Sequence, residues 1–428
     1  MRKRAIPLLA VGVMVWAASA KVEARDSNGD HDGESNRVVV GSVENFATLP
    51  EIINSTTGLP EGHPEGLCAD SAGNVYADSF EQPIGGPGGT YVQNYIYKFG
   101  PNGHLISATP TANGVVPLGC IVSGNKFYMN DVYNGDEYQY TLPLTASSTP
   151  TKVFHVCGGF TGMPGAPCGL NANAVGPDGR VYMTDNGSGL FGIFVGNIYV
   201  LDPRTATGNA TVFLSPSMSA LYATALNIIQ IPASQGGPSF VPNGSVLPYS
   251  ANGITFSNDG SALYFANMST NVIWKQPVTS CNSAGGCQPE GDIEQFSHDP
   301  LNFIQGPDNI SFDNNGNLWV ASGQQQHVVA LDRHGDVVGV FGAFHGIDSN
   351  GAPIGLLQPS GVIFANGNIY IGNESNDGGN GGPSNALLPN TFYVDWTALK
   401  KFTISRVKAD LLQTNRRRHS DEDADPGW

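Results

Sequence analysis

Apolar and polar positions alternate along this chain in short runs, and one phrase recurs. A small or polar pair with Gly opens it, and an alternating strand follows. A Gly/Asn/Asp turn comes next, then a second strand ending in Asp, Asn or Ser. The copies begin at Pro64-Glu65-Gly66-Leu67, Pro117-Leu118-Gly119-Cys120, Asn171, Asn252-Gly253-Ile254, Pro307-Asp308-Asn309-Ile310 and Pro359-Ser360-Gly361-Val362. Their turns fall at Gly73-Asn74, Gly124-Asn125, Pro177-Asp178-Gly179, Asn258-Asp259-Gly260, Asn314-Asn315-Gly316 and Asn366-Gly367. Period-two alternation on both sides of such turns predicts a β-hairpin in each copy.

Further strands follow most hairpins, as at Tyr95-Ile96-Tyr97-Lys98-Phe99 and at Val328-Val329-Ala330-Leu331 before Val337-Val338-Gly339-Val340-Phe341. The period of about 53 residues suits a four-stranded blade with long loops. Six such units arranged radially bury their faces on one another and protect their edges. The expectation is therefore an all-β chain folded as a six-bladed β-propeller. A sandwich or a pair of smaller β domains has no natural place for six in-phase copies. Arg37-Val38-Val39-Val40 is expected to complete the last blade, with Thr403-Ile404-Ser405 pairing nearby. The stretch from Ser215 to Val246 reads as a Ser/Pro/Gly-rich insertion over one rim.

Composition adds the setting. With 55 Gly, 29 Pro and 13% charged residues, the chain favours short strands and turns over long surface helices. A net charge of −16 repels phosphate backbones, which argues against nucleic acid as a partner. Arg2, Lys3 and Arg4, the apolar run Ile6 to Ala17 and the small residues Ala18-Ser19-Ala20 read as a signal peptide over residues 1–20. Residues 21–36 read as a flexible segment, 37–412 as the propeller and 413–428 as a disordered tail. A secreted or periplasmic protein is expected, free of the membrane after signal cleavage. Six cysteines on an exported chain suggest disulfides: Cys281 with Cys287, Cys157 with Cys168, and Cys68 with Cys120 or left as buried thiols. Several N-x-S/T sequons occur, Asn186 and Asn267 among them. His63, two residues before Glu65, reads as a surface turn residue or as one that faces the funnel.

Asn252-Gly253-Ile254-Thr255-Phe256, the Asn258-Asp259-Gly260 turn and Leu263-Tyr264 resemble the gluconolactonase and senescence-marker-protein family of propellers. Pro307-Asp308-Asn309 followed by Asp313 and Gly316-Asn317-Leu318-Trp319 is the next match, with a distant likeness to paraoxonases in the Asp-Asn pair. The likeness runs from Leu59 to Asn373 at the level of repeats. It implies one calcium ion in the central funnel, held by oxygen from the starts of innermost strands. Carried over by position, the ligands are Glu65, Asn171, Asn252 and Asp308, with Asn173 competing for the Asn171 role and Asn309 as a further ligand. The chemistry agrees, since Ca²⁺ takes six to eight oxygens with some carboxylate charge, and another divalent cation would accept a similar set. Alone, each of these residues reads as a loop or turn former. Four at one phase of four repeats read as a site.

The resemblance implies a metal-dependent hydrolase of small-molecule lactones or related esters, with the cation as Lewis acid and Asp308 assisting the attacking water. Two rivals share the scaffold: a non-catalytic NHL-like propeller that binds a protein or glycan, and a strictosidine-synthase-like enzyme. There is no G-x-S-x-G elbow, P-loop or H-E-x-x-H motif to suggest other chemistry.

Overall fold

The computed structural model describes residues 38–53, 60–81, 92–156, 169–186, 196–204, 208–209, 211–226, 250–282, 285–375 and 394–413. The expected signal peptide, the flexible segment, the Cys157–Cys168 pair and nearly all of the expected tail lie outside the described residues. Among the described residues no helix is long and apolar enough to cross a membrane.

The six hairpins are six blades. Each opens on an innermost strand: His63–Ala69, Pro117–Ser123, Leu170–Val175, Ala251–Phe256, Pro307–Phe312 and Pro359–Ala365. The second strand of each blade pairs antiparallel with the first, and third and fourth strands extend the sheet outward. Blade 1, for example, continues through Val75–Phe80, Tyr95–Phe99 and Leu105–Pro110. The innermost strands touch one another in sequence, and that of blade 6 touches that of blade 1, so the ring is closed.

Closure is made by a different strand from the one expected. Glu44–Thr48 pairs antiparallel with Thr403–Lys408 and completes blade 6. Val39–Gly41, which holds Val39 and Val40 of the expected closing strand, lies parallel to Val337–Phe341 as a fifth strand on blade 5. The Val-rich run is the better β-former, but an outermost strand has one face to bury, and Phe46 and Ala47 bury it in blade 6. The insertion after Ser215 starts with a short helix, Ala220–Leu226, whose Tyr222, Ala225 and Leu226 enter the core beside Ile254 and Trp274 of blade 4.

Turn chemistry shapes each hairpin. Asp70 accepts the backbone N–H groups of Ala72 and Asn74, the Asn74 amide and the Tyr76 hydroxyl. Asp313 does the same for Asn315, Asn317 and Trp319 Nε1. One carboxylate thus holds both the turn and an aromatic of the second strand. The aromatics pack between blades, as Trp319 and Phe341 do against Val362, Ile369 and Ile371. Each such side chain contributes about 1.5–3 kcal/mol of burial. Cys68 and Cys120 are bonded, Cα atoms 5.7 Å apart, and tie the innermost strands of blades 1 and 2. Cys281 and Cys287 close the short loop within blade 4.

Candidate functional site

Every innermost strand bulges near its start, at one phase. In blade 1 the register runs from Pro64 opposite Ser79 to Leu67 opposite Ala77, so Glu65 and Gly66 together face Asp78. The same two-against-one step sets off Leu118-Gly119, Asn171-Ala172, Asn252-Gly253, Asp308-Asn309 and Ser360-Gly361. A bulge re-aims a side chain and tightens the local twist. Its first residue forms a ring around the funnel: Glu65, Leu118, Asn171, Asn252, Asp308 and Ser360. All six are buried. In every blade but the fifth its second residue is Gly or Ala, for a packing reason. A Cβ on Gly253 would stand 2.4 Å from the Asp308 carbonyl oxygen, and one on Gly119 would stand 2.2 Å from that of Asn171. Adjacent innermost strands approach too closely there for a side chain.

The bulge N–H groups lose their ladder partners, and in blades 1 to 3 the facing residue replaces them. Gly66 donates to Asp78 Oδ1 at 2.7 Å, Gly119 to Asn130 Oδ1 at 2.9 Å and Ala172 to Thr184 Oγ1 at 3.0 Å. Asn130 also donates its amide to the Asn171 carbonyl and to Asn173 Oδ1, both at 2.8 Å. Asn173 in turn donates to Glu137 Oε1 at 3.0 Å. The two candidate asparagines of blade 3 therefore separate: Asn171 has the ring position, and Asn173 joins a buried network toward blade 2. Asn309 takes the second bulge position, where its Oδ1 accepts the Ile310 N–H.

Two residues beyond the one that faces each bulge comes a further set of six equivalent residues: Phe80, Val132, Asn186, Met268, Gly323 and Glu374. Two of these the sequence reading missed as site residues. Glu374 raises the pKa of both Glu65 and Asp308 by like-charge repulsion. Asn186, read only as a sequon, is buried with no hydrogen-bond partner on its Oδ1. Phase along the repeat points to both positions, but residue type there varies too widely to be noticed.

The electrostatics converge on one point. The Glu65 carboxyl is held well above the usual range by burial first, then by Asp308, Glu374 and Asp78. Asp308 is raised in the same way, by burial and then by Glu374, and the Asn252 amide offsets part of that rise. The amide nitrogen of Asn252 also reaches Met268 Sδ at 3.9 Å, while its Oδ1 is buried without a partner. Behind Glu65, burial pushes Asp78 up to about 7, although Gly66 hydrogen-bonds to it. Among the described residues no three His, Cys, Asp or Glu side chains are grouped so as to hold a metal by themselves. A cation here would have to draw on amide oxygens as well, and the Asn252 Oδ1 is one without a partner. Desolvated, mutually repelling carboxylates with amide oxygens beside them fit a hard divalent cation, which would reverse the repulsion.

His63 is not a solvated turn residue. Its side chain is half-buried, donates through Nδ1 to the Glu374 carbonyl at 2.7 Å, has Nε2 3.4 Å from Glu81 Oε1 and packs on the Phe402 ring.

Comparison with known proteins agrees with this architecture. Residues 249–342, which span blades 4 and 5, match the family model described as the SMP-30/Gluconolactonase/LRE-like region, so the resemblance read from the repeats is shown there. A luciferin-regenerating enzyme is similar in structure, with a TM-score of 0.53 at 15% identity, covering 86% of this chain and 94% of its own. Regucalcin from Agrobacterium tumefaciens str. C58, a calcium-binding protein, has a TM-score of 0.50 at 15% identity, covering 78% and 86%. At these identities the likeness is one of fold. No curated protein matches the chain in sequence.

Proposed function

We propose that this propeller is an exported hydrolase of lactones or related esters that works with a divalent cation, calcium first, in its funnel. One observation carries the reading. Glu65 and Asp308, from blades 1 and 5, are desolvated against each other beside the unpartnered Oδ1 of Asn252. The match to the lactonase-type family model and the fold shared with a calcium-binding regucalcin support it. Two disulfides suit an oxidising compartment.

Glu65, Asn171, Asn252 and Asp308 would hold the ion. When bound, such an ion supplies Lewis-acid polarisation of a carbonyl. Asp308 orients a water and takes its proton as the oxygen adds to the carbonyl carbon. The ring C–O bond then breaks, and the leaving alkoxide takes up a proton to give the hydroxy acid. Asn252 fixes the Asp308 carboxyl in place, and Glu374 adds to the negative field around it.

The test combines metal and turnover. Chelation is expected to lower the melting temperature, since a ligand that binds only the folded state stabilises it by about 2.7 kcal/mol at 100 times its Kd. Asp308→Ala should abolish the response to calcium, and the exposed His345→Ala should leave it intact. Asn252→Asp keeps an oxygen ligand and adds charge, so calcium should still bind while turnover of lactones and aryl esters falls. A chain that binds calcium yet hydrolyses nothing across a lactone, ester and phosphotriester panel would be a binding propeller instead.

A further inference from the structure

The funnel is divided by chemistry. At the bulge position five blades carry polar residues, Glu65, Asn171, Asn252, Asp308 and Ser360, while blade 2 carries Leu118. In the next set of equivalent residues, Phe80 and Val132 again place apolar groups on blades 1 and 2, Asn186 and Glu374 stand on blades 3 and 6, and the one further apolar member, Met268 of blade 4, is turned onto the Asn252 amide at 3.9 Å. Phe80, Leu118 and Val132 form one apolar cluster with Val116 and Tyr133. The three acids Glu65, Asp308 and Glu374 come from blades 1, 5 and 6 and act on one another. One side of the mouth therefore repels anions and accepts hydrogen bonds, and the other offers hydrocarbon.

We infer that the preferred substrate is a neutral lactone or ester bearing an alkyl or aryl substituent, which lies on the wall formed by Leu118, Phe80 and Val132 while its carbonyl faces Asn252 and Asp308. This rests on the hydrolase reading above and narrows it to a substrate class. A polyhydroxylated lactone would set hydroxyls against Leu118 and Phe80 with nothing there to bond them, and burying an unpaired hydroxyl is unfavourable. An anionic substrate would meet three carboxylates. A hydrocarbon chain removes apolar surface from water on the same wall, and each methylene so recognised changes kcat/KM by about tenfold or more.

The experiment measures kcat/KM for γ-lactones with alkyl chains of increasing length and for a polyhydroxylated lactone of the same ring size. The wild type, Leu118→Asn and Val132→Thr are compared, both variants being close to isosteric. Ile106→Ser, on the exposed outer strand of blade 1, serves as control. The wild type should favour the longer alkyl lactones at least tenfold. Each wall variant should lose about tenfold on them, mostly through KM, and the preference for them over the polyhydroxylated compound should shrink by at least as much. Equal rates on both classes, or an equal loss on both in the variants, would overturn the inference and leave the hydrolase reading standing. If no lactone turns over, the hydrolase reading fails, and calorimetry with a non-hydrolysable alkyl lactam decides about the wall. Binding about tenfold weaker in Leu118→Asn upholds it, and equal affinity overturns it.

Discussion

The imidazole Nδ1 of His63 donates a hydrogen bond to the backbone carbonyl of Glu374 at 2.7 Å, across the seam where the first blade meets the last. The same strand that carries His63 carries Glu65 two residues later, so one side chain fixes both acids relative to each other. His63→Ala should lower stability by about 1–3 kcal/mol, through the unpaired carbonyl and the lost packing on Phe402. The measurement is a denaturant midpoint with unchanged slope. His63→Asn, which can still donate, should recover part of the loss.

Gly253 separates Asn252 from the neighbouring innermost strand. Gly253→Ala should force blades 4 and 5 apart, because its Cβ would meet Asp308 O at 2.4 Å and Asn309 Cα at 2.6 Å, both backbone atoms that cannot turn aside. Overpacking of this kind costs about 1–3 kcal/mol. Calcium affinity should fall along with the melting temperature, because Asn252 and Asp308 sit on the two strands pushed apart.

The Cys68–Cys120 bond spans 52 residues of sequence. In the chain-entropy picture, closing a loop of that size stabilises by roughly 4 kcal/mol. The double variant Cys68→Ala/Cys120→Ala should lose a comparable amount, read as a shift in denaturant midpoint measured without reductant. A midpoint that stays with the wild type would place the restraint in the packing of Phe127 and Met129 instead.

Asp131 gives a pH dependence away from the acid cluster. Burial pushes its carboxyl up to about 6, against the pull of hydrogen bonds from Asn134, Val116 and Tyr133. An unfolded aspartate titrates near 4, so between about pH 4 and 6 the folded chain binds more protons than the unfolded one. The contribution of Asp131 is then fully present below about pH 4 and is lost as pH rises through 6, up to roughly 3 kcal/mol. Asp131→Asn should flatten that part of the stability profile. A profile with the wild-type slope would assign the effect to another group.

The hairpins were legible because their turns need Gly, Asn and Asp, which stand out against alternating strands. The phase of Glu65, Asn171, Asn252 and Asp308 was legible for the same reason, since a small residue follows three of the four directly or as part of the bulge. Leu118 and Ser360 share that phase and went unread as site residues, because an apolar and a small side chain do not advertise a ligand set. Glu374 was hidden by its position, which holds Phe, Val, Asn, Met and Gly in the other blades. Asn171 and Asn173 could not be separated by spacing, because only the bulge decides which turns to the funnel and which turns to Glu137. The closing strand was misplaced by a few residues because Val38-Val39-Val40 has the higher strand propensity, whereas Glu44–Thr48 has the partner.

That closing strand also orders events in time. Glu44–Thr48 leaves the ribosome long before Thr403–Lys408, its partner among the described residues of blade 6. The sheet that unites the two ends of the chain waits for nearly all of it to be made, and contacts this far apart in sequence form slowly. Meanwhile Phe46 and Ala47 have no blade to cover. Until that sheet forms, the seam that sets Glu65 of blade 1 beside Glu374 of blade 6 lacks its closing strand. Truncation beyond Phe402 would remove the strand that joins the two ends of the chain, and the funnel ring would lose that support at its seam.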